Sequence, residues 1–383
     1  MTATLPAASA DTAPVASRRF LGDLEHPRQV VEHITPNWFA AVMGTGIVAN
    51  AAVALPVHSS VLTGFATIVW VSASCLLVLI GAAFVLHWVR HTDQARRYAS
   101  DPVMSQFYGA LPMALLTVGA GTVHLGVPLM GQTAAVSVGG ALWVVGTVIG
   151  VATAIWVPFA MMTAERRHDV TALPAWLMPV VPPMVSATTG VALLEFIPEG
   201  QARLGMLSLC YLLFGMSLIL GMMTLTMIYA RLFHGGLPVD KSAPTIWITL
   251  GVVGQSITAA NLLGAHAGLV FSGDHVPIAT GLMVFGIVYG LIMGGFGVAM
   301  FALAVAVTVR SVRSGLPFAL TWWSFTFPVG TCVTGLSALG VAVGSAPIRY
   351  LAEVLYVVLL AAWVIVAART AKGAFGGRVF LPA

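Results

Sequence analysis

Ten long apolar runs follow one another between residues 36 and 369, and nearly every charged side chain falls between them. About 20 helical residues cross the roughly 30 Å of hydrocarbon in a bilayer. In lipid, a backbone can satisfy its own N–H and C=O groups only as helices or as a closed barrel. The runs predict helices at about 36–55, 60–88, 103–125, 132–160, 178–196, 204–232, 244–264, 277–309, 318–341 and 347–369. Charge excludes a large soluble domain, because 17 basic and 13 acidic residues cannot cover the surface of 383. The expected class is an all-α polytopic membrane protein. Residues 1–32 would form a disordered tail, 33–370 the ten-helix domain and 371–383 a short C-terminal tail.

Lys and Arg positions set the orientation. Arg18, Arg19 and Arg28 precede the first run, Arg90, Arg96 and Arg97 follow the second, and Arg166 and Arg167 follow the fourth. Arg231 and Lys241 follow the sixth, Arg310 and Arg313 the eighth, and Arg369, Lys372 and Arg378 the tenth. Thus 15 of the 17 basic residues lie on one side, against Arg203 and Arg349 on the other, and a wrong number of spans would scramble that alternation. Both termini are expected in the cytoplasm of a multi-pass protein of the cell (inner or plasma) membrane. Basic residues placed at the ends of apolar runs, instead of in one basic domain, do not indicate nucleic acid. The first thirty residues lack the apolar core of a signal peptide. Cys75, Cys210 and Cys332 each lie inside an apolar run with no metal-ligand spacing, so all three read as buried thiols and no metal or other cofactor is expected.

Odd and even runs differ. The first contains Gly44 and Gly46, the third Pro112, the fifth Pro179, Pro182 and Pro183, the seventh Pro244, Gly251 and Gly254, and the ninth Pro328. In the even runs proline stands only at the ends, Pro158 near the end of the fourth and Pro277 and Pro347 at the first positions of the eighth and tenth. Proline frees a carbonyl that lipid cannot satisfy but a polar cavity or a neighbouring helix can. Hydroxyls and amides also gather in the odd runs, among them Asn50, Thr188, Thr258 and Thr334. Five in-out hairpins around a central pore, with the odd helices inside, account for this recurrence. Close packing through small and polar residues explains any one of these positions equally well.

Inside the spans the carboxylates are nearly absent, with Glu195 at the outer end of the fifth and Glu353 in the outer half of the tenth. Cation paths and proton relays keep buried Asp or Glu, so a small anion is favoured. It would meet hydroxyls, amide donors and the positive ends of broken helices. The candidate path residues are Gly44, Thr45, Gly46, Pro112, Thr117, Pro182, Ser186, Thr189, Gln255, Ser256, Ser324, Pro328 and Thr331. Glu353 and His124 are the groups available for proton coupling, and a partnership of Glu353 with Arg349 is the plainer reading of that carboxylate.

The ninth run reads Trp322-Trp323-Ser324-Phe325-Thr326-Phe327-Pro328. Phe327 lies nine residues beyond Phe318, about 13 Å into the membrane at 1.5 Å per residue. It shares a helix face with Ser324, Thr331 and Thr334, whereas Phe325 shares one with Thr321, Pro328 and Cys332. Phe327 is therefore the better candidate to project into a polar path and close it by steric block and dewetting. A phenylalanine simply packed between helices has the same periodicity.

That stretch, together with Pro36-Asn37-Trp38-Phe39 leading into Met43-Gly44-Thr45-Gly46, resembles the tellurite-resistance/dicarboxylate transporter family over roughly residues 33–370. The family includes bacterial tellurite-resistance proteins, fungal malate permeases and sulfite pumps, and plant slow anion channels. The resemblance implies ten helices in five hairpins, kinked inner helices around a pore, a gating phenylalanine at Phe327 and a homotrimer. It implies as substrate a small inorganic or dicarboxylate anion, moved by a dicarboxylate or sulfite/tellurite-type oxyanion carrier. The alternative is a passive nitrate or chloride channel gated by the same phenylalanine.

An enzyme is not expected, since no HExxH and no GxSxG on a strand-turn-helix is present. His87 and His91, spaced i, i+4, fit an interfacial polar face better than a metal site. His124 and His266 lack the CxxCH that would support a haem reading.

Overall fold

In the computed structural model, residues 20–26, 28–163 and 171–381 are described. Arg18, Arg19, Arg166 and Arg167, and most of the expected N-terminal tail, lie outside them. The described residues are helical without strands, and nine of their helices are long and apolar enough to cross a membrane. The principal helices are α1 (Phe39–Ala54), α2 (Ser60–Arg90), α3 (Ala110–Leu125), α4 (Gln132–Thr163) and α5 (Pro182–Gly190). They continue with α6 (Gln201–Gly235), α7 (Ile248–His266), α8 (Val276–Arg313), α9 (Phe327–Val343) and α10 (Ala346–Gly376).

The expected helix at 178–196 is the exception to the nine. Pro174, Pro179, Pro182 and Pro183 each lack an amide donor, so no continuous α-helix can run through them. The segment is a 3-10 turn at Pro174–Leu177, the short α5, and a second 3-10 piece at Val191–Phe196. Carbonyls around the break are met from neighbouring helices: Ser217 of α6 donates to Val180 O at 2.6 Å, and Trp143 of α4 donates to Ser186 O at 2.9 Å.

The prolines do not kink the inner helices at mid-length. Each odd element begins as a 3-10 segment, at Pro36–Trp38, Met104–Gly109, Pro174–Leu177, Asp240–Trp247 and Leu320–Phe325, and then becomes α-helix. Pro112 and Pro328 stand in the first α-turn, and Pro182 and Pro183 open α5. In a first turn the missing N–H has no intrahelical partner to lose. The five junctions therefore fall at one level of the molecule.

Contacts order the elements. α1 packs on α3 and α9, α3 on α5, α5 on α7 and α7 on α9, which closes a ring. Each even helix packs outside the odd one before it and also touches the next odd one. In their most apolar windows the inner spans are 78, 78, 94 and 67% buried, against 22–39% for the outer ones, so the two sets do different jobs. Glycine allows the closest approaches: a Cβ on Gly254 would lie 2.5 Å from the backbone of Thr331 and Cys332.

Cys75 is exposed on α2, while Cys210 is buried and Cys332 half-buried, so only part of the reading of three buried thiols holds. α10 runs on to Gly376, past the end expected for the last helix. Leu21 N and Asp23 N donate to Phe375 O and Gly376 O, and Phe380 stacks on Trp38 with ring centroids 4.9 Å apart. The described parts of the two ends thus pack on each other at the foot of α1.

Candidate functional site: two cavities on the ring axis

The ring encloses two cavities. The smaller, about 20 Å3, is lined from all five 3-10/α junctions, by residues such as Met43, Phe107, Met178, Ile248, Leu320 and Phe327. This neck is almost wholly apolar, Ser324 being its polar side chain, and it has room for about one water. The larger cavity, about 490 Å3, lies toward the C-terminal ends of the inner elements. Asn50, Thr117, Thr188, Gln255, Thr258 and Thr334 stand in its wall, again one or more from each inner element. Neither Lys, Arg, Asp nor Glu lines it among the described residues. Its titratable side chains are His124 and His266, and His124 is exposed.

Phe327 belongs to both walls. It is 3% exposed, stands at the first residue of α9 and is the side chain in which neck and outer cavity meet. Phe325 lines neither cavity; it packs edge-on against Trp247 and Trp322, at centroid distances of 5.8 and 5.7 Å. The helical-face argument thus separates these two rings in the way the structure does, although residues 320–325 are 3-10.

Of the candidate path residues, Thr117, Thr189 and Gln255 line the outer cavity, and Ser324 and Pro328 line the neck. The others line neither. Gly44 faces Trp323 and Thr326, Gly46 faces Thr117, and Thr45 accepts a hydrogen bond from Trp363 Nε1 at 3.2 Å. Pro112 and Pro182 both pack on Gly150 of α4, the helix whose Trp143 binds Ser186 O. Ser256 donates to Val253 O within its own helix, and Thr331 sits against Gly254. Apart from Ser256, these residues make contacts between elements. Glu353 is half-buried on the outer helix α10 and lines neither cavity; among the described residues the ion pair present is Arg203–Glu199 at 3.6 Å, so Arg349 and Glu353 are not paired. Sequence reasoning missed Asn261 and Ser337 of the outer wall, each three residues beyond a threonine that was noticed, Thr258 and Thr334. Helical spacing could have found both.

A ring of helices around an axial cavity of neutral polar groups, closed by a phenylalanine over an apolar neck, is a conduit for small polar solutes. The sequence model of one family, the voltage-dependent anion channels, matches residues 33–371. The chain belongs to that family. It is similar to an uncharacterized transporter of Methanocaldococcus jannaschii, 27% identical over 93% of this chain and 98% of that protein. A sulfite efflux pump of Arthroderma benhamiae is 28% identical over 89% of this chain and 90% of its own. A malic acid transport protein of Schizosaccharomyces pombe is 22% identical over 88% and 77%. The protein is a multi-pass membrane protein that transports small anions.

Proposed function

We propose that the protein carries a small oxyanion, of the sulfite or dicarboxylate type, along the ring axis, with Phe327 as the gate. The position of Phe327 in the wall of both cavities carries this reading. A neck holding about one water cannot pass a hydrated anion, and an apolar constriction of that size resists wetting. Displacing the ring would join the neck to the 490 Å3 cavity above it. The names of the relatives, a sulfite pump and a malic acid transporter, support the cargo class. The basic residues at the C-terminal ends of α2, α6, α8 and α10 support ten crossings as in-out hairpins in the plasma membrane, with both termini cytoplasmic. The exposed apolar faces of the even helices support lipid contact, and the family resemblance supports a homotrimer. Transport without enzymatic chemistry is the role that fits.

A passive channel is the second reading. It draws on the lack of Asp, Glu, Lys or Arg in the outer wall and on the displacement of Glu353 from the axis. Flux in proteoliposomes separates the two, measured for malate, succinate, sulfite, nitrate and chloride with and without a pH gradient. A carrier gives gradient-driven uptake selective for sulfite or a dicarboxylate; a channel gives flux that ignores the gradient and follows anion size and hydration. Flux of none of these anions would contradict both.

A further inference from the structure

Four of the five 3-10 segments that open the inner elements carry a tryptophan: Trp38, Trp176, Trp247 and, beside Trp322, Trp323. Two of these four indoles are hung on an outer helix. Trp247 Nε1 donates to Thr308 Oγ1 of α8 at 2.8 Å, and Trp323 Nε1 to Thr370 Oγ1 of α10 at 3.1 Å. In each case the next residue, Ile248 or Ser324, lines the neck. The indole nitrogens of Trp38 and Trp176 are covered and have no partner among the described residues. A threonine acceptor is therefore not a condition for packing a tryptophan in these segments, and the two bonds that are made stand behind two parts of the neck wall.

The second bond lies nearer in the chain to Phe327. Trp323 is 2% exposed and wedged between two helices: a Cβ on Gly44 of α1 would come within 2.6 Å of its ring, and buried Thr370 takes its indole proton. Arg369, the neighbour of Thr370 on α10, lies over the Trp322 ring at 4.7 Å. From Trp323 to Phe327 is one turn of backbone. Trp323 O accepts from Thr326 N at 3.1 Å and from Thr326 Oγ1 at 2.7 Å, and Thr326, fully buried, immediately precedes Phe327. Thr326 O in turn accepts from Gly330 N at 2.9 Å in the first turn of α9. A tilt of Trp323 is thus passed through a doubly bonded turn to the start of α9. Trp322 and Phe325, on the half-buried side of the segment, lie outside this path.

α10 lines neither cavity, and its most apolar window is 22% buried. Near its C-terminal end, however, Val366 and Thr370 are buried. We propose that Thr370 is a positioning residue for the gate: by holding the Trp323 indole it keeps the 3-10 segment seated on α1 and the Phe327 ring across the neck, so that movement of this end of α10 releases the ring. This rests on Phe327 being the gate. A buried indole that loses its acceptor has no water to replace it, so the seated arrangement loses its advantage over tilted ones.

The test is flux of nitrate and of sulfite through the full-length protein in proteoliposomes, with thermal melting as the check that each variant is folded. Thr370→Val keeps the shape of the side chain and removes the acceptor, and should raise the flux of both anions about fivefold, the worth of one neutral hydrogen bond. Thr370→Ala removes the same acceptor and takes its place if Thr370→Val does not fold. Thr370→Ser keeps the acceptor and should stay within about twofold of the unmodified protein. Added to Phe327→Ala, loss of the acceptor should change flux no further, because the ring it positions is gone; a bond that only stabilises the molecule would act alike in both backgrounds. Unchanged flux in Thr370→Val, an equal rise in Thr370→Ser, or the same rise on top of Phe327→Ala would overturn the proposal and leave the gate standing. Unchanged flux in Phe327→Ala alone would overturn the gate reading and the proposal together.

Discussion

The two cavities share an axis and one side chain, and differ in nearly everything else. The outer one is about 490 Å3 and sets amides and hydroxyls into an otherwise apolar wall; the neck is about 20 Å3 and walled mainly by Met, Phe, Ile and Leu. Their origin in the chain is the same, since every inner element contributes to both, the junction of 3-10 and α-helix to the neck and the following turns to the outer wall. The contrast teaches that recognition and closure are separable in this fold. Polar groups that could hold an anion lie where there is space, and the narrow neck is apolar but for Ser324 and has no room for a hydration shell. A single ring at their boundary can then control passage without touching the chemistry of the wall.

The largest expected effect comes from removing the boundary. Phe327→Ala should raise anion flux in proteoliposomes by at least about tenfold, equivalent to lowering the barrier by roughly 1.4 kcal/mol. Unchanged flux would mean that the barrier lies elsewhere. The next largest is its reversal from the neck side. A Cβ at Gly251 would meet only Pro328, at 3.9 Å, so Gly251→Val fits without backbone strain and fills the neck. Added to Phe327→Ala, it should return most of the gained flux, and failure to do so would show that anions bypass the neck. Phe325→Ala should change flux by less than about twofold, but lower thermal stability in detergent by a few kcal/mol, because that ring is packing and not boundary. The smallest effect belongs to Glu353→Gln, which should leave both flux and its response to a pH gradient unchanged, since this carboxylate lines neither cavity. A lost gradient response would restore Glu353 as a coupling group.

Much of this arrangement is legible in the chain before any coordinates. Prolines inside the third, fifth and ninth apolar runs mark inner elements, because only there can a neighbour such as Ser217 or Trp143 satisfy the carbonyls around a break. Phe327 is legible from its helical face and its place before Pro328. The 3-10 beginnings are not, since exchanging an i→i+3 for an i→i+4 hydrogen bond leaves no mark on an apolar sequence. Nor is the direction in which an inner side chain points. A helix buried on all sides has no apolar stripe to orient it, so Ser186 and Pro182, which face α4, could not be told apart from Thr189, which faces the cavity. Asn261 and Ser337 escaped for the opposite reason: a single amide or hydroxyl near the end of a span looks interfacial until its turn-by-turn neighbours are traced.

The most direct test of Phe327 as a boundary is thiol accessibility. In a protein with Cys75, Cys210 and Cys332 changed to Ser, one cysteine is placed in the outer wall, Thr189→Cys, or in the neck, Met43→Cys. Each is exposed to a membrane-impermeant thiol reagent from the side opposite the arginine-rich helix ends. The expected result is fast labelling at position 189, protection at position 43, and labelling at both once Phe327→Ala is added. Equal labelling of both positions while Phe327 is in place, or continued protection of position 43 after its removal, would contradict a gate at this residue.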